Sequence, residues 1–256
     1  MRGGHGSFAE ALHLRDAGID VPIHVFSEPP HEAAPILVEY RLTPAVFTEG
    51  FASALSDAAV KAGTRLPVHL KVDSGMHRVG VLADDLDDAL RHLKSLPGIE
   101  IEGLWSHLAV AEIPDHPFTR KQLDLFAEMV ERVRAAGVEV RYRHIANSAA
   151  TLGVPESHLD IVRCGIASYG LWPGKALEGS QDLRPVMTLR GRISMAKVVP
   201  AGDALSYGLQ YELERKGTVV TVSAGYADGY DRRLSGRAEV LIGGVRHRVS
   251  GTITMD

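Results

Sequence analysis

The sequence predicts an α/β protein: a TIM-like β/α barrel missing its first one or two strands, followed by an incomplete, mostly β C-terminal domain. Three observations carry this. Up to about residue 175, β-branched runs alternate with segments of helical periodicity, the pattern of repeated βα units around a parallel sheet. After about Arg184 glycine becomes frequent and short alternating runs take over, as in antiparallel sheets. Between them, LWPGKALEGSQDLRP is rich in Gly and Pro and reads as a linker. The barrel domain is therefore assigned to residues 1–183 and the β-rich domain to residues 184–256.

Helical periodicity begins at FAEALHLRDAG, with no strand before it. Strands are expected at residues 21–27, 42–48, 67–73, 101–108, 139–146 and 161–170. Amphipathic segments lie between them: HEAAPILVEYR, FASALSDAAVKAG, DLDDALRHLKSL and the long TRKQLDLFAEMVERVRAAG, several closed by a C-terminal Gly. A complete eight-stranded barrel needs roughly 200 residues, more than this region supplies, so one or two βα units are expected to be absent from the front. VMTLRGRISMAKVV, GTVVTVSAG and AEVLIGGVRHRVSGTITM supply the antiparallel pattern, and the last of these runs into the chain end as an unfinished strand.

The 256 residues are 45% hydrophobic and 23% charged with a net charge of -4, a composition that excludes disorder and argues against a nucleic-acid partner. No apolar run reaches the roughly 18 residues of a membrane span, and MRGGHGSFAE lacks a signal-peptide core. The single Cys164 cannot form an internal disulfide, so a cytoplasmic protein acting on a small molecule is expected.

Chemistry concentrates at strand ends. KVDSGMHRVG places Lys71 and Arg78 around a tight turn at what would be the active-site face of a barrel. A lone surface charge is more often simply solvated, but His107 ends the next strand and faces the same mouth. HIANSAAT brings His144, Asn147 and Ser148 to a helix start, suited equally to an ordinary N-cap or to an anion. VRCGIASYG supplies Arg163, which needs a partner inside a strand, then Gly165 and Ile166. Tyr207, in LSYGLQY, reads by itself as an aromatic packed on a sheet. The histidines show no HxxxH or CxxC spacing, so no metal site is expected.

Taken in order, KVDSGMHRVG, HIANSAAT with VRCGIASYGLWP, LSYGLQY, SAGYADGYDRRLS and SGTITMD resemble the alanine racemase family. The resemblance runs from Phe8 to Asp256. It implies a pyridoxal 5'-phosphate enzyme that interconverts L- and D-alanine for peptidoglycan, built as a head-to-tail homodimer. Arg163 would partner the pyridine nitrogen, held by His144, and Ser148, Gly165 and Ile166 would line the phosphate cradle with Asn147 in support. Tyr207 matches the acid/base tyrosine and His107 the histidine bonded to it. Arg78 matches an arginine near the cofactor phenolate and substrate carboxylate, Lys71 a lysine that is carbamylated in many relatives, and Met255 part of the segment that closes the substrate pocket.

One departure stands out: none of Lys61, Lys71, Lys94, Lys121, Lys175, Lys197 and Lys216 matches the cofactor-linked lysine of the family's first strand. The 256-residue chain is therefore expected to be a partial sequence with little or no racemase activity alone. The competing expectations are a non-catalytic cofactor binder, a racemase for serine or another amino acid, and a barrel-type decarboxylase. Decarboxylases of this fold generally set an acidic residue, not an arginine, at the pyridine nitrogen.

Overall fold

Five parallel strands, each paired with its neighbour in sequence, form the sheet that organises the first part of the chain in the computed structural model. The structure describes residues 8–113 and 115–256. The strands are β1 (His24–Val25), β2 (Thr43–Val46), β3 (Leu66–Lys71), β4 (Ile99–Trp105) and β5 (Tyr142–His144). Helices α1 (Phe8–Asp16), α2 (Ala34–Glu39), α3 (Glu49–Lys61), α4 (Leu86–Ser95) and α5 (Pro117–Ala135) alternate with them, and α6 (Ser148–Gly153) follows β5. Every residue of β2 and all but one of β3 are buried, as expected for a parallel sheet covered on both faces.

Local chemistry sets the helix ends. Thr48 Oγ1 caps α3 by accepting the N–H of Phe51, and the helix buries Phe51, Ala52, Leu55 and Ala59 on one stripe. Helix α5 starts at Pro117, behind a His116 ring nitrogen that accepts the N–H of Phe118. It buries Thr119, Gln122, Phe126, Met129 and Val133 at helical spacing. Gly137, at φ 76°, turns the chain out of the helix in a left-handed conformation.

The chain divides into two compact units, the first ending at Val186 and the second Met187–Asp256. The first is a TIM-like half-barrel of parallel strands. The second is antiparallel: β6 (Ile193–Val199) pairs with β9 (Gly217–Val222), β7 (Ala204–Leu205) with β8 (Tyr211–Glu212), and β10 (Glu239–Ile242) with β11 (Val245–Arg248). Gly243 and Gly244, both at positive φ, make the two-residue turn of that last hairpin. No helix among the described residues is long and apolar enough to cross a membrane.

Two expected strands are absent. Residues 161–170 run beside β5, but only the N–H groups of Asp160 and Arg163 reach its side, at Arg143 O and Ala146 O. No continuous ladder forms, and the chain coils into a 3-10 turn at Ile166–Tyr169. The terminal ITMD is not a strand either: the carbonyls of Thr254 and Met255 receive the N–H groups of Tyr226 and Ala227, which belong to a turn.

Candidate active site

The C-terminal ends of β3, β4 and β5 carry the charged cluster of the first unit. Lys71 ends β3, Trp105 ends β4 with Ser106 and His107 just beyond, and His144 ends β5. Beyond β3 the chain folds back on itself, with Asp73 N–H bonded to Val81 O and Val81 N–H to Lys71 O. Gly80 is required there: at φ 124°, a Cβ would sit 2.9 Å from the backbone of Val72 and Asp73. Asp73 Oδ1 closes the turn by accepting the N–H groups of Gly75 and His77 at 2.8 and 3.1 Å. Burial raises the Asp73 carboxyl, but those bonds and Lys71 overcome it and hold the pKa below its ordinary value.

Lys71 is 2% exposed. Its Nζ donates to Val72 O at 2.8 Å and lies 5.0 Å from the centre of the Trp105 ring. Burial pushes its pKa down to about 7; Asp73 opposes this, while Arg163 and Arg78 add to it. Arg78 itself is exposed on the turn.

Arg163 is the hub. Its Nη1 meets His144 Nδ1 at 2.7 Å, and its Nη2 donates to Ser106 O at 2.7 Å and Ile145 O at 3.2 Å and lies 3.4 Å from His107 Nδ1. The guanidinium carbon is 4.7 Å from the centre of the Trp105 ring, against which His144 stacks at 5.5 Å and 9°. Nε takes no partner among the described residues. Burial draws the guanidinium pKa down to about 9, which leaves it cationic at neutral pH.

Asn147 caps α6 through Ala150 N–H and donates to Leu108 O, with its Nδ2 3.5 Å from His107 Nε2. Buried Ser148 Oγ accepts the N–H groups of Gly165 (2.8 Å) and Ala167 (3.3 Å), and its own hydroxyl proton has no acceptor among the described residues. Ile166, between Gly165 and Ala167, is 46% exposed.

Sequence spacing missed two members of this cluster. His24 and His69 lie in β1 and β3, and with His144 they bring ring nitrogens within 4.8 Å of one another. Their wide separation along the chain hides them from any ligand-spacing rule. The available signal was alternation: His69 stands two residues before Lys71 in a strand and so shares its face. Both His144 nitrogens are engaged and a guanidinium lies against one of them, so the trio is arranged for hydrogen bonding. Burial lowers the pKa of His24 to about 3, with His69 and Arg163 adding and a bond to Thr43 O opposing. It lowers that of His69 to about 4, with Arg163 adding. His144 falls far below the usual range, first through burial and then through Arg163, His24, His69 and Lys71. All three are neutral at pH 7.

Tyr207 and Met255 belong to the second unit. Tyr207, 73% exposed, follows Ser206 at φ 63° and ψ -176°, a conformation that strains any residue but Gly. Two bonds fix this turn: Ser206 Oγ donates to Thr252 O at 2.7 Å and Thr252 Oγ1 to Tyr207 O at 2.8 Å. Met255 lies over Gly225, where a Cβ would come within 2.3 Å of Met255 O.

The arrangement matches known proteins along its whole length. The family model "Alanine racemase, N-terminal domain" matches residues 4–173 and "Alanine racemase, C-terminal domain" residues 186–256. The chain belongs to the alanine racemase family. Alanine racemase from Desulfovibrio desulfuricans is 41% identical over 247 residues, covering 96% of this chain and 67% of the relative. That from Carboxydothermus hydrogenoformans is 40% identical with the same coverage. The crystal structure of alanine racemase from D-cycloserine-producing Streptomyces lavendulae superposes with a TM-score of 0.92 at 38% identity, covering 98% of this chain and 67% of that one. The Bacillus anthracis enzyme with bound L-Ala-P gives 0.86 at 33% identity. Membership makes the chain part of a family of amino-acid racemases, which are isomerases.

Proposed function

We propose that the strand-end cluster of the first unit is a pyridoxal 5'-phosphate site serving the interconversion of L- and D-alanine, the source of D-alanine for peptidoglycan in the cytoplasm. One observation carries the cofactor assignment: Arg163 is fixed on four sides by Trp105, His144, Ser106 and Ile145, yet keeps Nε–H unspent. The cluster offers cations and donors, which suits an anion bearing a ring nitrogen that accepts. Arg163 would hold that nitrogen, Ser148 with Gly165 and Ile166 would hold the phosphate, and Asn147 keeps their loop in place.

When bound, pyridoxal phosphate supplies an electron-accepting ring that eases removal of the amino acid's Cα proton. Arg163, cationic at neutral pH, gives a hydrogen bond without giving up its proton. Facing the cofactor's ring nitrogen, that bond would leave the nitrogen unprotonated and favour return of the proton to Cα over transamination. Tyr207 is the acid/base group on one face of Cα, in a site shared with the partner subunit of a head-to-tail homodimer. His107 and Arg78 serve that site through the tyrosine and the substrate carboxylate, and Met255 narrows its pocket. Lys71, about half neutral at pH 7, would add carbon dioxide at Nζ with loss of a proton, giving a carbamate anion able to orient Arg78.

The test is titration of the 256-residue chain with pyridoxal phosphate, followed by absorbance and repeated with Arg163→Ala. Saturable binding weakened at least tenfold by the substitution is expected, with little alanine interconversion because no lysine of the 256 residues matches the family's cofactor-linked lysine. Equal binding by both proteins would remove the cofactor assignment.

A further inference from the structure

The directions of the buried hydrogen bonds follow from one end of the cluster. A guanidinium only donates, so the 2.7 Å contact between Arg163 Nη1 and His144 Nδ1 makes that nitrogen an acceptor. A neutral His144 then carries its proton on Nε2. The proton points at His69 Nδ1, 2.8 Å away, which must accept it. His69 in turn carries its proton on Nε2, and the group facing that nitrogen is the Glu102 carboxylate, with Oε2 at 3.6 Å.

The backbone is built to admit this line. His69 packs over Gly103 of the adjacent strand β4, where a Cβ would lie 2.6 Å from the imidazole. No other residue at 103 leaves room for the ring. His24 stands outside the line: its Nδ1 donates to Thr43 O at 2.8 Å, and its ring covers His69 at 4.3 Å between centres. Burial of both imidazoles keeps them from taking a second proton, which would break the line by removing an acceptor.

We propose that His144 and His69 form a one-way donor line that fixes the guanidinium of Arg163, with His69 as a positioning residue for the site and the Glu102 carboxylate facing the end of the line at 3.6 Å. Both imidazoles are neutral and protonated at Nε2. The line rests on the cofactor reading for its purpose alone; its proton positions do not depend on a bound ligand.

Long-range proton–nitrogen NMR on the 256-residue chain, without cofactor, separates Nδ1–H from Nε2–H imidazoles. The expected result is Nε2–H for both His69 and His144 at pH 7. An Nδ1–H or doubly protonated ring at either position overturns the proposal. In the folded His69→Phe variant, His144 loses its acceptor. Arg163 still keeps His144 Nδ1 an acceptor, and with the line cut pyridoxal phosphate binding is expected to weaken about tenfold. His69→Gln, whose amide oxygen can accept, should restore that binding to within roughly threefold. Equal losses in Phe and Gln would mean that His69 only fills space, which also overturns the proposal. If the Phe variant does not fold, the proton positions in the unsubstituted chain decide. Failure of the unsubstituted chain to bind pyridoxal phosphate would count against the cofactor reading, while the proton positions still settle the line.

Discussion

The Arg163 guanidinium carbon lies over the Trp105 ring, 4.7 Å from the indole centre, and Lys71 Nζ lies over the same ring at 5.0 Å. Two basic side chains thus share one aromatic ring inside a half-barrel. Trp105→Leu removes that surface; a large-to-small aromatic change in a core costs about 3 kcal/mol, and cation–π loss adds about 1 kcal/mol. Trp105→Phe keeps a ring face and should lose about half as much. Urea midpoints of the two variants test the order, and equal losses would show that the ring face contributes nothing beyond volume.

Lys71 predicts alkaline stabilisation. Its pKa falls from an ordinary 10.5 unfolded to about 7 folded, so between those values the unfolded chain binds more protons. Stability therefore rises with pH from about 7 to about 10.5, and below 7 the fold carries the full cost of a buried charge. Lys71→Met should flatten the unfolding free energy across this window and exceed the unsubstituted protein most at its acid end. A difference independent of pH would disprove the assignment.

The histidines predict acid lability on the other side of neutrality. His69 falls to about 4 and His24 to about 3, from an ordinary 6.5. Below pH 6.5 the unfolded chain takes up protons that the folded one refuses, so stability falls as pH drops toward 4. His24→Phe should make that decline shallower in calorimetric melts between pH 4 and 7, which is read as proton uptake on unfolding.

Gly225→Ala sets a Cβ against the carbonyl of Met255, which cannot give way as a flexible side chain could. The bonds from Tyr226 and Ala227 N–H to residues 254 and 255 should open. Amide exchange at those two N–H groups should rise at least tenfold, with the β6–β9 pair unaffected. Unchanged exchange at Tyr226 would show that the terminal segment is held by other contacts.

The half-barrel was legible because its strands and helices differ in apolar period, and because helix stops such as Gly137 are chemically marked. Residues 161–170 misled for a physical reason: IVRCGIASYG has strand composition, but pairing depends on a neighbouring ladder that sequence does not display. The positions of Arg163 and His144 could be anticipated from motif order. Their dependence on His69 and Gly103 could not, since the ring that fills the space above residue 103 comes from another strand, and only the register of β3 against β4 brings them together. Trp105, two residues before His107, carries no signal of its own in the sequence, and its central place emerges from ring stacking.

Strand order in the parallel sheet follows the chain without a crossover, from β1 to β5. During synthesis each strand emerges to find its partner already made, and no segment must wait for a distant one. Consecutive partners lie one βα unit apart, which keeps the entropic cost of closure low. The half-barrel can therefore assemble by accretion, one βα unit at a time, and the Arg163 cluster is completed only when the last of its contributing segments leaves the ribosome.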